Sequence, residues 1–213
     1  MYFVKTPLLL KKCYPRLMWD SSNSEKKLFL TFDDGPTAGV TSAALDLLES
    51  FEAKATFFCL GKNMLNHPVI VKRALEEGHT IANHSFAHAN GWKTSTENYI
   101  KEVNLTEQLI NKYYSSLKKE PQLLFRPPYG RIKKKQIHAL KEKQYNIIMW
   151  DVLSGDFDAN CTKEDCASNV INNAVSGSII VFHDSLKATD AMLFALQKTL
   201  SHFKAKGYTF EAL

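Results

Sequence analysis

From Lys27 onward the chain repeats one pattern: a short run of Leu, Ile, Val and Phe, then a stretch with apolar residues three or four apart. The short runs read as buried strands and the periodic stretches as amphipathic helices. Strand, helix and strand in succession build right-handed βαβ units and a parallel sheet, so the class is α/β. Strands are expected at 28–32, 55–60, 80–84, 123–126, 146–152, 178–182 and 208–212. Helices are expected at 41–51, 67–75, 95–114 (with Thr94 or Thr96 as its cap), 132–143, 163–175 and 189–206.

The residues with chemistry to offer cluster just after these strands: Asp33 and Asp34, His84 to His88, Arg126, Asp156 and His183. In an open sheet, strand ends several steps of about 4.8 Å apart do not meet at one site. In a closed barrel every strand's carboxyl end faces one mouth, where such folds carry their chemistry. Seven strands fall short of the usual eight, so the pattern predicts a distorted, incompletely closed (β/α) barrel related to the TIM barrel.

At 213 residues the chain suits one domain, with residues 1–26 as an irregular leader packing on a barrel of residues 27–213. Leu17, Met18 and Trp19 are expected to cap one end of the core, ahead of a polar loop over 20–25. The composition, 45% hydrophobic and 23% charged, is that of a globular protein. The net charge of +5 comes from short, scattered basic runs such as Lys11-Lys12 and Lys133-Lys134-Lys135. These read as solvated faces, and no nucleic-acid footprint emerges. Lys11-Lys12 interrupts Leu8-Leu9-Leu10, leaving no apolar stretch of the roughly 7–15 residues that a secretory signal needs. Nothing approaches the ~20 residues of a membrane span. The expectation is a monomer that is not embedded in a membrane, in the cytoplasm, with reduced thiols. Cys59 reads as a buried thiol, and a bridge between Cys161 and Cys166 stays open.

Four stretches carry the chemistry. The strand at 28–32 stops at the paired carboxylates Asp33-Asp34 and is closed by Gly35-Pro36. Two such carboxylates resist ionising together unless something positive holds them. His84 and His88, four apart, join Asp34 to give two imidazoles and a carboxylate with open positions. That donor set suits catalytic Zn²⁺ and equally a non-haem Fe(II) site. Arg126 follows a buried strand and precedes Pro127-Pro128-Tyr129-Gly130, whose prolines stiffen the loop and fix its direction. His183 ends the strand at 178–182, where a general acid would stand on a barrel's active face.

Taken together, Thr31-Phe32-Asp33-Asp34-Gly35, His84-Ser85-x-x-His88, Arg126-Pro127-Pro128-Tyr129-Gly130, Trp150-Asp151 through Asp156, and Val181-Phe182-His183 resemble the polysaccharide deacetylases of carbohydrate esterase family 4, the NodB-homology domain. The resemblance implies a metal-dependent hydrolase that removes acetyl groups, most often N-acetyl, from an acetylated amino sugar, oligosaccharide or polysaccharide. It further implies Asp34, His84 and His88 as ligands of one divalent metal, Zn²⁺ first and Co²⁺, Ni²⁺, Mn²⁺ or Fe²⁺ next. Asp33 would be the general base held by Arg126, and His183 the general acid tuned by Asp156. The Tyr129 amide would support the oxyanion, and Phe157 would wall the acetyl pocket. Trp92, just after the histidine pair, reads equally as a face for a sugar or as a core residue. Two positions depart from the family's habit: Phe157 stands where Trp is frequent, and Leu153 where another Asp is common. An O-acetyl esterase and a non-catalytic carbohydrate-binding relative are the alternatives. Trp150 reads as a core residue, and the histidines at 67, 79, 138 and 202 as structural or surface residues.

Overall fold

A computed structural model describes residues 2–21 and 26–213; positions 22–25 of the expected polar loop lie outside the described residues. The strands are β1 (Lys27–Asp33), β2 (Ala55–Cys59), β3 (Thr80–Asn83), β4 (Leu124–Phe125), β5 (Asn146–Ile147), β6 (Val152–Leu153), β7 (Ile179–His183) and β8 (Thr209–Phe210). The helices are α1 (Leu8–Cys13), α2 (Val40–Ser50), α3 (Gly61–Asn66), α4 (Pro68–Glu76), α5 (Thr96–Ser116), α6 (Lys134–Glu142), α7 (Lys163–Asn173) and α8 (Thr189–Ala205).

Seven strands form one parallel path in the order β5-β4-β3-β2-β1-β7-β6, and β8 pairs with the start of β1 off that path. The path curls into the expected incomplete barrel, and β1 shows why. Its residues are almost wholly buried, and they alternate between two apolar surroundings. Leu28, Leu30 and Phe32 join the large outer core shared with α2, α4, α7 and α8. Phe29 faces the other way, into a floor built with Phe58, Ala82, Leu124, Ile148 and Ile179. Thr31 and Asp33 stand above that floor on the same inner face.

The predicted strand at 146–152 is two short strands instead. β5 pairs with β4 and β6 with β7, and no ladder joins β5 to β6. The leader occupies that seam: Met18 bridges Ile148, Lys5 bridges Val152 and Asp20 bridges Ser178. The Met18 N–H donates to Ile147 O at 2.9 Å, and Met149 N–H donates back to Met18 O at 2.7 Å. Asp151 pins the leader electrostatically, meeting Lys5 and Lys11 at 2.6 Å each and accepting from the Ser178 hydroxyl at 2.5 Å. Lys11 is therefore paired, not solvated. Leu17 and Trp19 pack with Phe125, Ile137 and Ile147, as a cap should.

Smaller corrections have local causes. The leader is not wholly irregular, because 8–13 forms α1. A short helix, α3, precedes α4 where none was expected. Ser95, not Thr94 or Thr96, caps α5, its hydroxyl accepting from the Asn98 N–H at 3.2 Å. Cys161 and Cys166 are free thiols with sulfurs 3.5 Å apart. Among the described residues, no helix is long and apolar enough to cross a membrane.

Candidate active site

Strand register assembles the site. Asp33 lies beside Phe58 of β2 and His183 of β7, and Asn83, the residue before His84, lies beside Phe125, the residue before Arg126. The four chemically active strand ends thus open at the same end of the barrel.

Arg126 is the hub. It is completely buried, with Cζ 4.1 Å above the Phe58 ring of the apolar floor. One terminal nitrogen donates to Asp33 Oδ1 and to Thr31 Oγ1, both at 2.7 Å. The other donates to Met149 O at 2.9 Å. Burial opposes a charge on Asp33, but the Arg126 guanidinium, with His84 and His183 nearby, outweighs it and holds this carboxyl below its usual range. Asp33 is therefore an anion with one oxygen tied and its direction fixed.

Asp34 turns away from its neighbour. Its backbone is left-handed, with φ at 81°, a conformation uncommon for a residue with a Cβ. The turn is braced on three sides. Asn63 donates to Asp34 O at 2.7 Å, Asp184 Oδ1 accepts from the Gly35 N–H at 2.9 Å, and Asp184 Oδ2 accepts from the Thr41 hydroxyl at 2.5 Å. A Cβ on Gly35 would stand 1.9 Å from Asp184 Oδ2, so only glycine permits this approach. Burial, reinforced by the Asp34 charge, pushes the Asp184 carboxyl up to about 7.

Asp34, His84 and His88 each offer a donor atom, and these lie within 4.8 Å of one another. Asp34 Oδ1 is 3.2 Å from His88 Nε2 and 3.8 Å from His84 Nε2. It is buried with no hydrogen-bond partner, an expensive state for a carboxylate oxygen that a cation relieves. His84 Nδ1 donates to the Arg126 carbonyl at 2.7 Å, which fixes the ring and turns Nε2 towards Asp34. Burial and the adjacent His84 lower His88 to about 4, leaving a neutral imidazole. The residues present fit a divalent metal. Ser85, His88 and Tyr129 share the left-handed backbone of Asp34, with φ of 64°, 62° and 60°. Strain of this kind gathers where geometry serves function.

Across the cavity stands His183. Its Nδ1 meets Asp156 Oδ1 at 2.8 Å, and its backbone N–H donates to Asp156 Oδ2 at 2.8 Å. Burial alone would lower this imidazole, but Asp156 reverses the sign and raises it to about 9. A cavity of about 340 Å³ lies between these groups.

The structure gathers Asp33, Asp34, His84, His88, Tyr129, Phe157 and His183 around this cavity, with Arg126 and Asp156 directly behind. The Tyr129 ring is 4.4 Å from that of His88, and Phe157 meets the His183 ring edge-on at 5.0 Å. Trp92 stands apart, in a neighbouring groove, and at 61% exposed it is no core residue. Trp150 corrects the reading in the other direction, because it lines the cavity. Tyr2 and Lys187 also line it, and no local sequence signal marked either. The set-aside histidines are structural or peripheral: His79 is buried and accepts from the Ala55 N–H at 3.1 Å, while His138 is exposed beside Glu142.

A carboxylate–imidazole cluster beside a second, cation-held carboxylate, facing a protonated imidazole at a barrel mouth, is the layout of a hydrolytic centre. The polysaccharide deacetylase family pattern matches residues 20–148, and the chain belongs to that family. It is 36% identical to a peptidoglycan-N-acetylglucosamine deacetylase of Bacillus cereus, over 95% of this chain and 94% of that one. It is 35% identical to the peptidoglycan-N-acetylmuramic acid deacetylase PdaC of Bacillus subtilis, over 76% of this chain and a third (33%) of that protein. The crystal structure of the Bc1960 peptidoglycan N-acetylglucosamine deacetylase, in complex with 4-naphthalen-1-yl-N-oxidanyl-benzamide, superposes with a TM-score of 0.88. That match has 32% identity and covers 98% of this chain and 95% of that one.

Proposed function

We propose that this chain is a metal-dependent hydrolase that cleaves the N-acetyl group from an amino sugar in a glycan of the peptidoglycan kind. The observation that carries the reading is the split of one carboxylate pair: Asp34 joins two imidazoles while Asp33, one residue earlier, is held by Arg126. The relatives' substrates support the choice of sugar, and the charged His183 supports an amide, whose amine leaves poorly without a proton.

Asp34, His84 and His88 would hold the cation, Zn²⁺ first by the N₂O donor set. Bound there, a divalent cation polarises the acetyl carbonyl and makes water a better nucleophile. Asp33 takes the proton from that water through the oxygen Arg126 leaves free. Arg126 keeps the carboxylate ionised and stops it turning towards Asp34. The Tyr129 N–H supports charge developing on the carbonyl oxygen. His183 gives its proton from Nε2 to the departing nitrogen, and Asp156 holds Nδ1 and keeps the ring charged beforehand. Phe157 and Leu153 form an apolar wall for the acetyl methyl.

The test is incubation of the metal-loaded protein with N-acetylated and O-acetylated glycans, measuring acetate and free amine together. Equal amounts of acetate and new amine are expected from the N-acetylated substrate, lost on chelation and restored by Zn²⁺. Acetate from O-acetylated glycans alone would make the chain an esterase. Binding of glycans without any acetate would make it a non-catalytic relative.

A further inference from the structure

Beside the catalytic cavity lies a second groove of about 500 Å³, and Tyr2, Tyr129, Gly130, Trp150 and Leu153 line both spaces. The leader walls one side with Phe3, Leu10 and Tyr14, and Trp92 stands in the lining with them. Residues 2–19 precede the segment that matches the family pattern, so this wall is not a feature the pattern supplies. Phe3, Tyr14, Trp92 and Tyr129 are 63%, 43%, 61% and 59% exposed. One exposed aromatic needs no explanation, but several around one groove mark a binding surface. Flat rings with solvent beside them suit the C–H face of a pyranose.

Arg131 lines the catalytic cavity and stands at its border with the groove, against the Trp92 and Tyr129 rings. Its Cζ lies 5.2 Å from the Trp92 ring centre and 5.7 Å from that of Tyr129. Among the described residues it has no carboxylate partner. An arginine planted between two aromatic faces, with its hydrogen-bonding fork uncommitted, is suited to a carboxylate arriving with the ligand.

We propose that this groove holds the sugar unit adjoining the acetylated one, and that Arg131 pairs with a carboxylate on that unit. The occupant is a single chain, because the two spaces share Tyr129 and Trp150: a glycan with its acetyl group at the Asp34 cluster runs on into the groove. The inference rests on the hydrolase reading and narrows the substrate to acidic glycans, over neutral ones of equal length.

The three tryptophans of the chain, Trp19, Trp92 and Trp150, all line the groove, so their fluorescence reports its occupancy directly. The probes are an N-acetylated oligosaccharide with carboxylates on alternate sugars and the same oligosaccharide with those carboxylates reduced to alcohols. Both kcat/KM for acetate release and Kd by fluorescence are measured. The native protein is expected to favour the acidic form by about tenfold, the scale of one hydrogen-bonded charge pair. Arg131→Ala should abolish that preference, Arg131→Lys should keep part of it, and Lys134→Ala, which removes an exposed charge elsewhere, should leave it intact. Tyr14→Ala should weaken both oligosaccharides more than a single acetylated sugar. An equal fall on both forms with Arg131→Ala, or a preference that falls as much with Lys134→Ala, would overturn the proposal. If no substrate releases acetate the hydrolase reading fails, and the fluorescence titration still decides whether Arg131 selects the acidic chain.

Discussion

Replacing Asp156 by Asn keeps the shape of its loop and removes one charge. In the native protein both oxygens of Asp156 meet His183, one at the ring and one at the backbone N–H, each at 2.8 Å. Burial disfavours the imidazolium, yet Asp156, with Asp33 and Asp34 adding to it, carries the ring from 6.5 up to about 9. A rise of that size amounts to about 3 kcal/mol in favour of the charged ring. Without the Asp156 carboxylate, burial outweighs the smaller pull of Asp33 and Asp34 and the ring titrates below 6.5. At pH 8 the native His183 is then mostly charged, while roughly one molecule in thirty or fewer of Asp156→Asn carries the proton. At pH 5.5 the native ring is fully charged, and the variant's charged fraction is many times larger than at pH 8. The deficit in kcat/KM for acetate release should therefore shrink steadily as pH falls and reach about thirtyfold or more at pH 8, with the alkaline limb moving from about pH 9 to below 6.5. An NMR titration of the His183 ring should show the same displacement without substrate. A deficit of equal size at every pH, or an alkaline limb that stays in place, would refute the assignment of Asp156 as the group that keeps His183 charged.

Arg126→Met leaves Asp33 buried without its cation and should cost about 3–5 kcal/mol, lowering Tm by roughly 10 °C in a domain of this size. Asp151→Ala removes the partner of Lys5, Lys11 and Ser178. Limited trypsinolysis at Lys5 and Lys11 should accelerate at least about tenfold as local opening becomes cheaper, while cleavage within β1 to β3 does not. The contributions of His183 and His79 are both complete only near pH 6.5, while that of Asp184, raised to about 7, is lost as pH rises from the ordinary carboxylate range through 7; urea midpoints would show their sum. His183, raised to about 9, stabilises fully below 6.5, and that contribution is lost as pH rises through 9. His79, lowered to about 4 by burial, stabilises fully above 6.5, and its contribution is lost as pH falls through 4.

Most of the site was legible because its parts sit at strand ends, and strands announce themselves as apolar runs. The separate work of Asp33 and Asp34 came from the resemblance to the family; the residues alone said that two adjacent carboxylates at a strand end need a cation or an arginine beside them. The fifth strand was misjudged for a physical reason: 147–150 is an unbroken apolar run, but the chain there turns to pair with Met18, and nothing within those residues signals a partner over a hundred positions away. The left-handed backbone at Asp34, Ser85, His88 and Tyr129 was equally hidden, because none of them is glycine and the surrounding contacts impose it. Trp150 sat in a run that looked like core. Gly130 brings the loop against it, since a Cβ there would meet the Trp150 ring at 2.7 Å. Tyr2 reaches the cavity only because the leader closes the barrel seam, a long-range event with no periodic signature.

The central claim is that neighbouring carboxylates do two separate jobs, and metal content measured alongside turnover tests it most directly. Asp34→Asn should lose the bound metal and, with it, activity. Asp33→Asn should retain about one metal per chain while kcat falls by roughly 10²–10⁴, the range expected for loss of a general base. Full turnover in Asp33→Asn, or undiminished metal in Asp34→Asn, would contradict the account.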